Sequence, residues 1–345
     1  MTAYLLYPGC SLEAGARAYC QSLKKVSAVL DFTLEEIEDW NCCGATEYLG
    51  ISRTPAYALI SRNLALAAMQ ANGNRTVIAP CSACYLNLAK ADHYMAERPE
   101  LGRMVNEALA AGGLSYTPGS LEIRHLLDVI VYDIGLEAIA SKVVRPLTGL
   151  RVAPYLGCML PRPDYNHRWS DHEHPVELGL LLRALGAEVI DFPLETQCCG
   201  GHMTQIGPDT AFELIRRLVY AADQYQADIM AAVCPMCQLN LDAYQDEMNH
   251  HFGTHYQMPI VFFTQLMGLA FGLDAKELGF GLELVSARKA LAKIGVEAPE
   301  PATAGPARPR KPEGLPVPRP LPMSPRGDAL LRKGPQAAEE KEAVK

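Results

Sequence analysis

Short apolar runs alternate with longer stretches of helical spacing along the first 298 residues. The runs at 4–7, 76–79, 152–156 and 228–233 have the length and composition of buried strands. Residues 55–71 and 210–224 carry apolar positions at spacings of three and four, as one face of a helix requires. A further helix is predicted over 176–185, leading into a strand at 188–192. Strand and helix in alternation predict α/β modules, each a small parallel-sheet unit, and in such folds the loops beyond the carboxyl ends of the strands form the site crevice.

The pattern stops near residue 299. Eleven of the 25 prolines lie beyond that point, in runs such as Pro316-Val317-Pro318-Arg319-Pro320-Leu321-Pro322, which predicts a disordered, partly polyproline tail over 299–345. The net charge of −8 hides an asymmetry, because the tail holds nine Lys/Arg against six Asp/Glu and so leaves −11 on residues 1–298. An acidic body of that kind makes nucleic acid an unsuitable partner. The longest apolar stretch, 261–273, is too short to span a bilayer, so no transmembrane segment is expected. The first ten residues lack the basic region of an export signal, and a cytoplasmic location is expected.

Eleven cysteines are far more than packing needs, and in a reducing compartment they point to metal binding or redox chemistry. Aligning them exposes an internal repeat. Tyr7-Pro8-Gly9-Cys10 recurs as Tyr155-Leu156-Gly157-Cys158, and Cys42-Cys43-Gly44 recurs as Cys198-Cys199-Gly200. Cys81-Ser82-Ala83-Cys84-Tyr85-Leu86-Asn87-Leu88 recurs as Cys234-Pro235-Met236-Cys237-Gln238-Leu239-Asn240-Leu241. The blocks keep their order at offsets of 148, 156 and 153, which predicts two duplicated domains, 1–147 and 148–298.

Each half thus carries a single cysteine, an adjacent pair and a CxxC. Thiolates suit soft metals, and a CxxC lets two sulfurs share one ion or one cluster edge. Structural zinc usually takes four ligands from two CxxC knuckles, and an ordinary cubane cluster also needs only four thiolates. A fifth cysteine per half points to a larger or more open cluster, although spacing leaves the metal open.

With these motifs the sequence resembles the heterodisulfide reductase B-subunit family, which is built from two cysteine-rich CCG domains. The resemblance runs from Tyr4 to about Ile294 and includes Pro259-Ile260-Val261-Phe262-Phe263-Thr264-Gln265-Leu266, which is similar to the family's terminal strand and helix. It implies two noncubane 4Fe-4S clusters facing each other across the active site. Cys10, Cys42, Cys43, Cys81 and Cys84 would hold one, and Cys158, Cys198, Cys199, Cys234 and Cys237 the other. It further implies an oxidoreductase subunit that reduces a disulfide, or oxidises thiols, with two electrons. The chain has no ferredoxin-like CxxCxxC run of its own, so the partners implied are a ferredoxin-like iron–sulfur subunit and a flavoprotein subunit. Two other classes stay open: an electron-transfer CCG subunit of a succinate or fumarate dehydrogenase or of a lactate or glycolate oxidation complex, and a zinc-stabilised scaffold.

Several other residues carry expectations. Cys20 has no counterpart in the repeat and reads as a buried structural thiol. Gly44, Gly200 and Gly201 follow the cysteine pairs, where positive φ and close backbone approach are expected. Asn87 and Asn240, three residues after each CxxC, are expected to bond to the cysteine loops. His202, beside the second pair, is the candidate proton donor. His167, His172 and His174 flank Trp169 in a stretch that reads as a solvated loop, with a polar substrate lid as the alternative.

Overall fold

The computed structural model describes residues 2–45, 48–162, 165, 169–297 and 299. The first half runs β1 (Thr2–Leu6), α1 (Gly9–Glu13), α2 (Arg17–Val29), β2 (Phe32–Glu36), α3 (Tyr48–Ile51), α4 (Arg53–Gln70), β3 (Thr76–Ala79), α5 (Ser82–Glu97) and α6 (Pro99–Ala110). It ends with β4 (Glu122–His125), α7 (Leu126–Val129), a π-helical turn at Ile130–Gly135 and α8 (Leu136–Ser141). The second half runs β5 (Arg151–Tyr155), α9 (Glu177–Ala184), β6 (Glu188–Val189), α10 (Met203–Ile206), α11 (Pro208–Gln224), β7 (Ile229–Ala232), α12 (Pro235–Ala243) and α13 (Gln245–Phe252). It closes with β8 (Ile260–Phe262), α14 (Phe263–Ala270) and α15 (Arg288–Ala292).

Each half builds a four-stranded parallel sheet, ordered β2-β1-β3-β4 in the first and β6-β5-β7-β8 in the second. Leu5 pairs with Val77 and Val77 with Ile123, while Ala153 pairs with Met230 and Ala231 with Val261. Helices cover these strands, so the central ones read as unbroken apolar runs, and all four residues of β7 are buried. In both sheets the strand order reverses beside the first strand. The crevice between β1 and β3, or β5 and β7, is therefore a topological switch point, where sites of open α/β sheets form. Cys10 and Cys81 follow β1 and β3, and Cys158 and Cys234 follow β5 and β7, so four cysteines reach the two crevices by topology alone.

The halves exchange cover. Helix α2 packs on α14, where Ser22 Oγ lies 2.7 Å from Thr264 Oγ1 and the Tyr19 ring stacks on Phe262 at 4.4 Å and 14°. Reciprocally α9 packs on α7, and the Tyr132 hydroxyl donates to buried Glu177 at 2.6 Å. The joint is stitched as well: Val144 and Arg145 both donate backbone N–H to the Ala270 carbonyl at 2.9 Å. Both sheets belong to one compact unit.

The predicted strands and helices are present with small shifts, save that β6 is two residues rather than five. Ile190 still donates to the Val152 carbonyl, but Pro193 has no N–H to continue a ladder, and the chain turns towards the second cysteine pair. Strands β2 and β4 carry no counterpart among the predicted elements. The Pro-rich tail beyond Pro299 lies outside the described residues. Among the described residues no helix is long and apolar enough to cross a membrane.

Candidate functional site

Two tyrosines at the ends of β1 and β5 set the frame. The hydroxyl of Tyr7 donates to the Asn41 carbonyl and that of Tyr155 to the Gln197 carbonyl, each at 2.7 Å, fixing the residue just before each cysteine pair. From the other side Asn87 Nδ2 donates to the Cys43 carbonyl at 3.0 Å, and Asn240 Nδ2 to the Cys199 carbonyl at 2.6 Å. These are the loop contacts expected of the two asparagines. Gly44, Gly200 and Gly201 all adopt positive φ, at 76°, 93° and 45°. The N–H groups of Gly200 and Gly201 point at the sulfurs of Cys198 and Cys199, each at 3.4 Å.

Gly9 and Gly157 enforce the closest approach. Both have φ of 68°, and a Cβ on either would come within 2.8 Å of Cys84 Sγ or 2.9 Å of Cys237 Sγ. Only glycine lets the first cysteine loop pass over the second sulfur of the CxxC. The CxxC cysteines themselves begin helices α5 and α12, with Cys81 and Cys234 as N-caps, where the helix dipole favours a thiolate.

The sulfurs meet in matching order. Cys43 Sγ lies 3.4 Å from Cys84 Sγ, and Cys199 Sγ lies 3.5 Å from Cys237 Sγ. Across the halves Cys81 Sγ and Cys234 Sγ approach to 4.0 Å. All eleven cysteines are free thiols. In each half the second member of the pair and both CxxC cysteines are buried, while Cys10, Cys42 and Cys198 are exposed and Cys158 is half-buried. Each set therefore has a buried floor and an open lip.

Neighbouring thiols decide which sulfur is ionised. Hydrogen bonds from Cys42 and Cys84 hold Cys43 down at about 3, and those from Cys158 and Cys199 hold Cys198 down at about 2. Cys234 is also lowered, by Cys237 and Cys81, whereas Cys42, Cys81, Cys84, Cys158 and Cys237 are raised, chiefly because they donate to a neighbouring sulfur. Among the described residues no three His, Cys, Asp or Glu side chains converge as the ligands of one ion. Five soft donors per half, with one glycine clearance over the second CxxC sulfur of each, fit a multi-atom iron–sulfur group better than a single tetrahedral ion.

One residue straps the two sets together. The hydroxyl of Tyr19, fully buried on α2, lies 3.2 Å from the Pro80 carbonyl and 3.3 Å from the Val233 carbonyl. These carbonyls immediately precede Cys81 and Cys234. His125, at the end of β4, is also fully buried; its Nδ1 accepts from the Leu127 N–H at 3.2 Å, and burial pushes it down to about 4. Neither residue was singled out for the site by sequence. Tyr19 lies on an amphipathic helix with no cysteine motif, and His125 aligns with Phe262, so no shared letter marks the position.

Other expectations fare unevenly. His202 is half-buried at the N-terminus of α10, next to Gly201. His172 places Nδ1 3.1 Å from the Pro161 carbonyl, His174 is exposed, and His167 lies outside the described residues. Trp169 is buried, not solvated: the indole packs into the core although its sequence neighbours are polar. Cys20 is half-buried rather than buried, because its face of α2 borders a groove against β2. Glu195, three residues before Cys198, was also missed; burial first, then Asp191 and Glu177, raises its carboxyl to about 7.

The cysteine-rich CCG domain family matches this chain twice, over residues 4–89 and 152–242. The chain is 32% identical over 290 residues to the 8-methylmenaquinol:fumarate reductase membrane anchor subunit of Wolinella succinogenes, covering 83% of this chain and 98% of that protein. It is 29% identical over 297 residues to the ferredoxin:CoB-CoM heterodisulfide reductase B-subunit of Methanosarcina mazei, covering 85% and 97%. A protein of Archaeoglobus profundus described as like the heterodisulfide reductase B-subunit is 28% identical over 283 residues. Among solved structures, a hypothetical protein from Helicobacter pylori shares the fold, with a TM-score of 0.67 at 17% identity over 83% of this chain; the chain spans about half, 52%, of that protein. The two matched segments hold both cysteine sets and both glycine clearances, and with them the chain belongs to the doubled cysteine-rich CCG family, homologous to the heterodisulfide reductase B-subunit.

Proposed function

We propose that this protein is the catalytic iron–sulfur subunit of a heterodisulfide reductase-like complex, reducing a disulfide or oxidising two thiols between its two cysteine sets. The observation that carries the reading is the 4.0 Å approach of Cys81 Sγ to Cys234 Sγ, which joins two matching five-thiol sets floor to floor. When bound, two noncubane 4Fe-4S clusters supply the two electrons that cleavage of a disulfide consumes. Cys10, Cys42, Cys43, Cys81 and Cys84 hold one, and Cys158, Cys198, Cys199, Cys234 and Cys237 the other, one per domain across 1–147 and 148–298. The open lips at Cys42 and Cys198 leave each set reachable from solvent. His202, beside the second set, delivers a proton to the departing sulfur. The remaining subunits are a ferredoxin-like iron–sulfur protein and a flavoprotein, and the complex works in the cytoplasm.

A second reading is favoured by the fumarate reductase relative at 32% identity: an electron-transfer subunit of a quinol-linked complex. Iron and sulfide analysis with EPR of the anaerobically purified protein tests both. About eight irons per chain, with resonances that shift on adding thiols, support the disulfide reading. Resonances indifferent to thiols but oxidised or reduced by a soluble quinone analogue favour the second, and a protein that binds zinc instead of iron sinks both.

A further inference from the structure

Beyond the Cys42-Cys43-Gly44 turn, α3, α4, α5 and the start of α6 enclose a cavity of about 560 Å³ that holds none of the cysteines. Three cations line it, Arg53, Lys90 and Arg98, and no described lining residue is acidic. None of the three pairs with a carboxylate among the described residues. In a chain whose first 298 residues carry −11, three uncompensated cations around one hollow are out of keeping with their surroundings.

The rest of the wall is amphipathic. Tyr57 is only 7% exposed, and its hydroxyl has no hydrogen-bond partner among the described residues. The Tyr94 ring stands edge-on to Tyr57 at 6.3 Å and carries the Arg98 guanidinium at 5.1 Å. Leu49 and Leu101 supply apolar surface. Burial raises the Tyr57 hydroxyl, Tyr94 adds to that rise, and the charges of Arg98 and Arg53 oppose it. Volume and lining suit a small organic ligand with an anionic head and an apolar body.

The cavity borders both halves. Its α3 wall starts at Tyr48, which packs against Gly44 of the first cysteine turn. Tyr165, in the chain that follows Cys158, lies 5.0 Å from the His93 ring and 6.5 Å from the Tyr94 ring.

We infer that this cavity binds the phosphate group of an organic ligand, beside the first cysteine turn. A tetrahedral oxyanion offers three acceptors to Arg53, Lys90 and Arg98 and a fourth contact to the Tyr57 hydroxyl. The inference rests on the disulfide reading only for the reaction at the ligand's other end; the anion site stands or falls by binding.

The test is calorimetric titration of the iron-loaded full-length protein with phenyl phosphate at low ionic strength, using benzyl alcohol as the neutral twin and succinate as the carboxylate. Phenyl phosphate is expected to bind more tightly than either. Affinity should fall about tenfold in Arg53→Gln and again in Lys90→Gln, as loss of a charged hydrogen bond predicts, and Arg98→Lys should retain part of what Arg98→Gln loses. Iron content and melting temperature of these variants report intact folding. Equal affinity in wild type and variants, or phenyl phosphate no tighter than benzyl alcohol, overturns the site, and tighter binding of succinate overturns the ligand class. Charge-dependent binding without any thiol-induced EPR change keeps the site and removes the disulfide reading; the reverse result removes the site alone.

Discussion

The two halves share their cysteines and the tyrosines, glycines and asparagines that hold them, but not the corners after their last strands. In the first, the corner after the last strand is ionic: Arg124 bonds Asp128 and Asp133, the latter at 2.6 Å, and Tyr4 donates to Asp133 at 3.2 Å. In the second, the same corner is apolar and self-capped, with Phe262 and Phe263 in the core and Gln265 Oε1 accepting the Phe262 N–H at 2.9 Å. Thiol, glycine and asparagine positions are duplicated because their geometry answers to the sulfurs. The corners answer only to packing, which different side chains satisfy equally well.

The largest effects should come from the shared part. Cys43→Ser and Cys199→Ser each remove a buried floor sulfur, and under the proposed function, in which each set serves its own centre, each is expected to abolish turnover while leaving about half the iron. Iron analysis of the two variants checks it; if either one lost all the iron, the halves would not be separate sites. The corners should then differ sharply. Arg124→Met leaves Asp128 buried without its cation, at a cost of about 3–5 kcal/mol in denaturant unfolding, whereas Phe262→Leu should cost less than about 1.5 kcal/mol. Similar losses in both would erase the contrast.

Between the halves, Tyr19→Phe removes the hydroxyl shared by the Pro80 and Val233 carbonyls and should destabilise by about 1–2 kcal/mol with iron content unchanged. The smallest effect belongs to Glu195, whose counterpart three residues before the first cysteine pair, Asp39, is instead exposed and paired with Arg62. Its carboxyl is raised from 4.5 to about 7, so between those values the folded chain keeps a proton that the unfolded chain has released. Stability is therefore fullest below the lower value and declines as pH rises through the upper one. Glu195→Gln should flatten that decline, by about 1 kcal/mol at pH 8 once partial exposure is allowed for. Melting curves at pH 5 and pH 8 decide it.

Legibility in the sequence follows the same division. The cysteine sets, the glycines and the asparagines leave the same letters twice, so the repeat and the α/β alternation could be read directly. Strand β4 could not, because Arg124 and Asp128 are polar letters in a fully covered corner and the aligned pair His125 and Phe262 share no chemistry. Trp169 misleads for the converse reason, as an indole drawn into the core from among polar neighbours. Tyr19 was hidden because its partners are backbone carbonyls more than sixty and two hundred residues away, at Pro80 and Val233.

The exchange of cover between α2 and α14 bears on how the chain is made. The buried face of α2, with Tyr19 and Ser22, takes much of its cover from residues 262–270. During synthesis the amino-terminal half therefore emerges with an open flank and an unstrapped Cys81 loop, and waits for nearly the whole body to leave the ribosome. The Cys81 loop is then strapped late, after the chain has closed upon itself through α14.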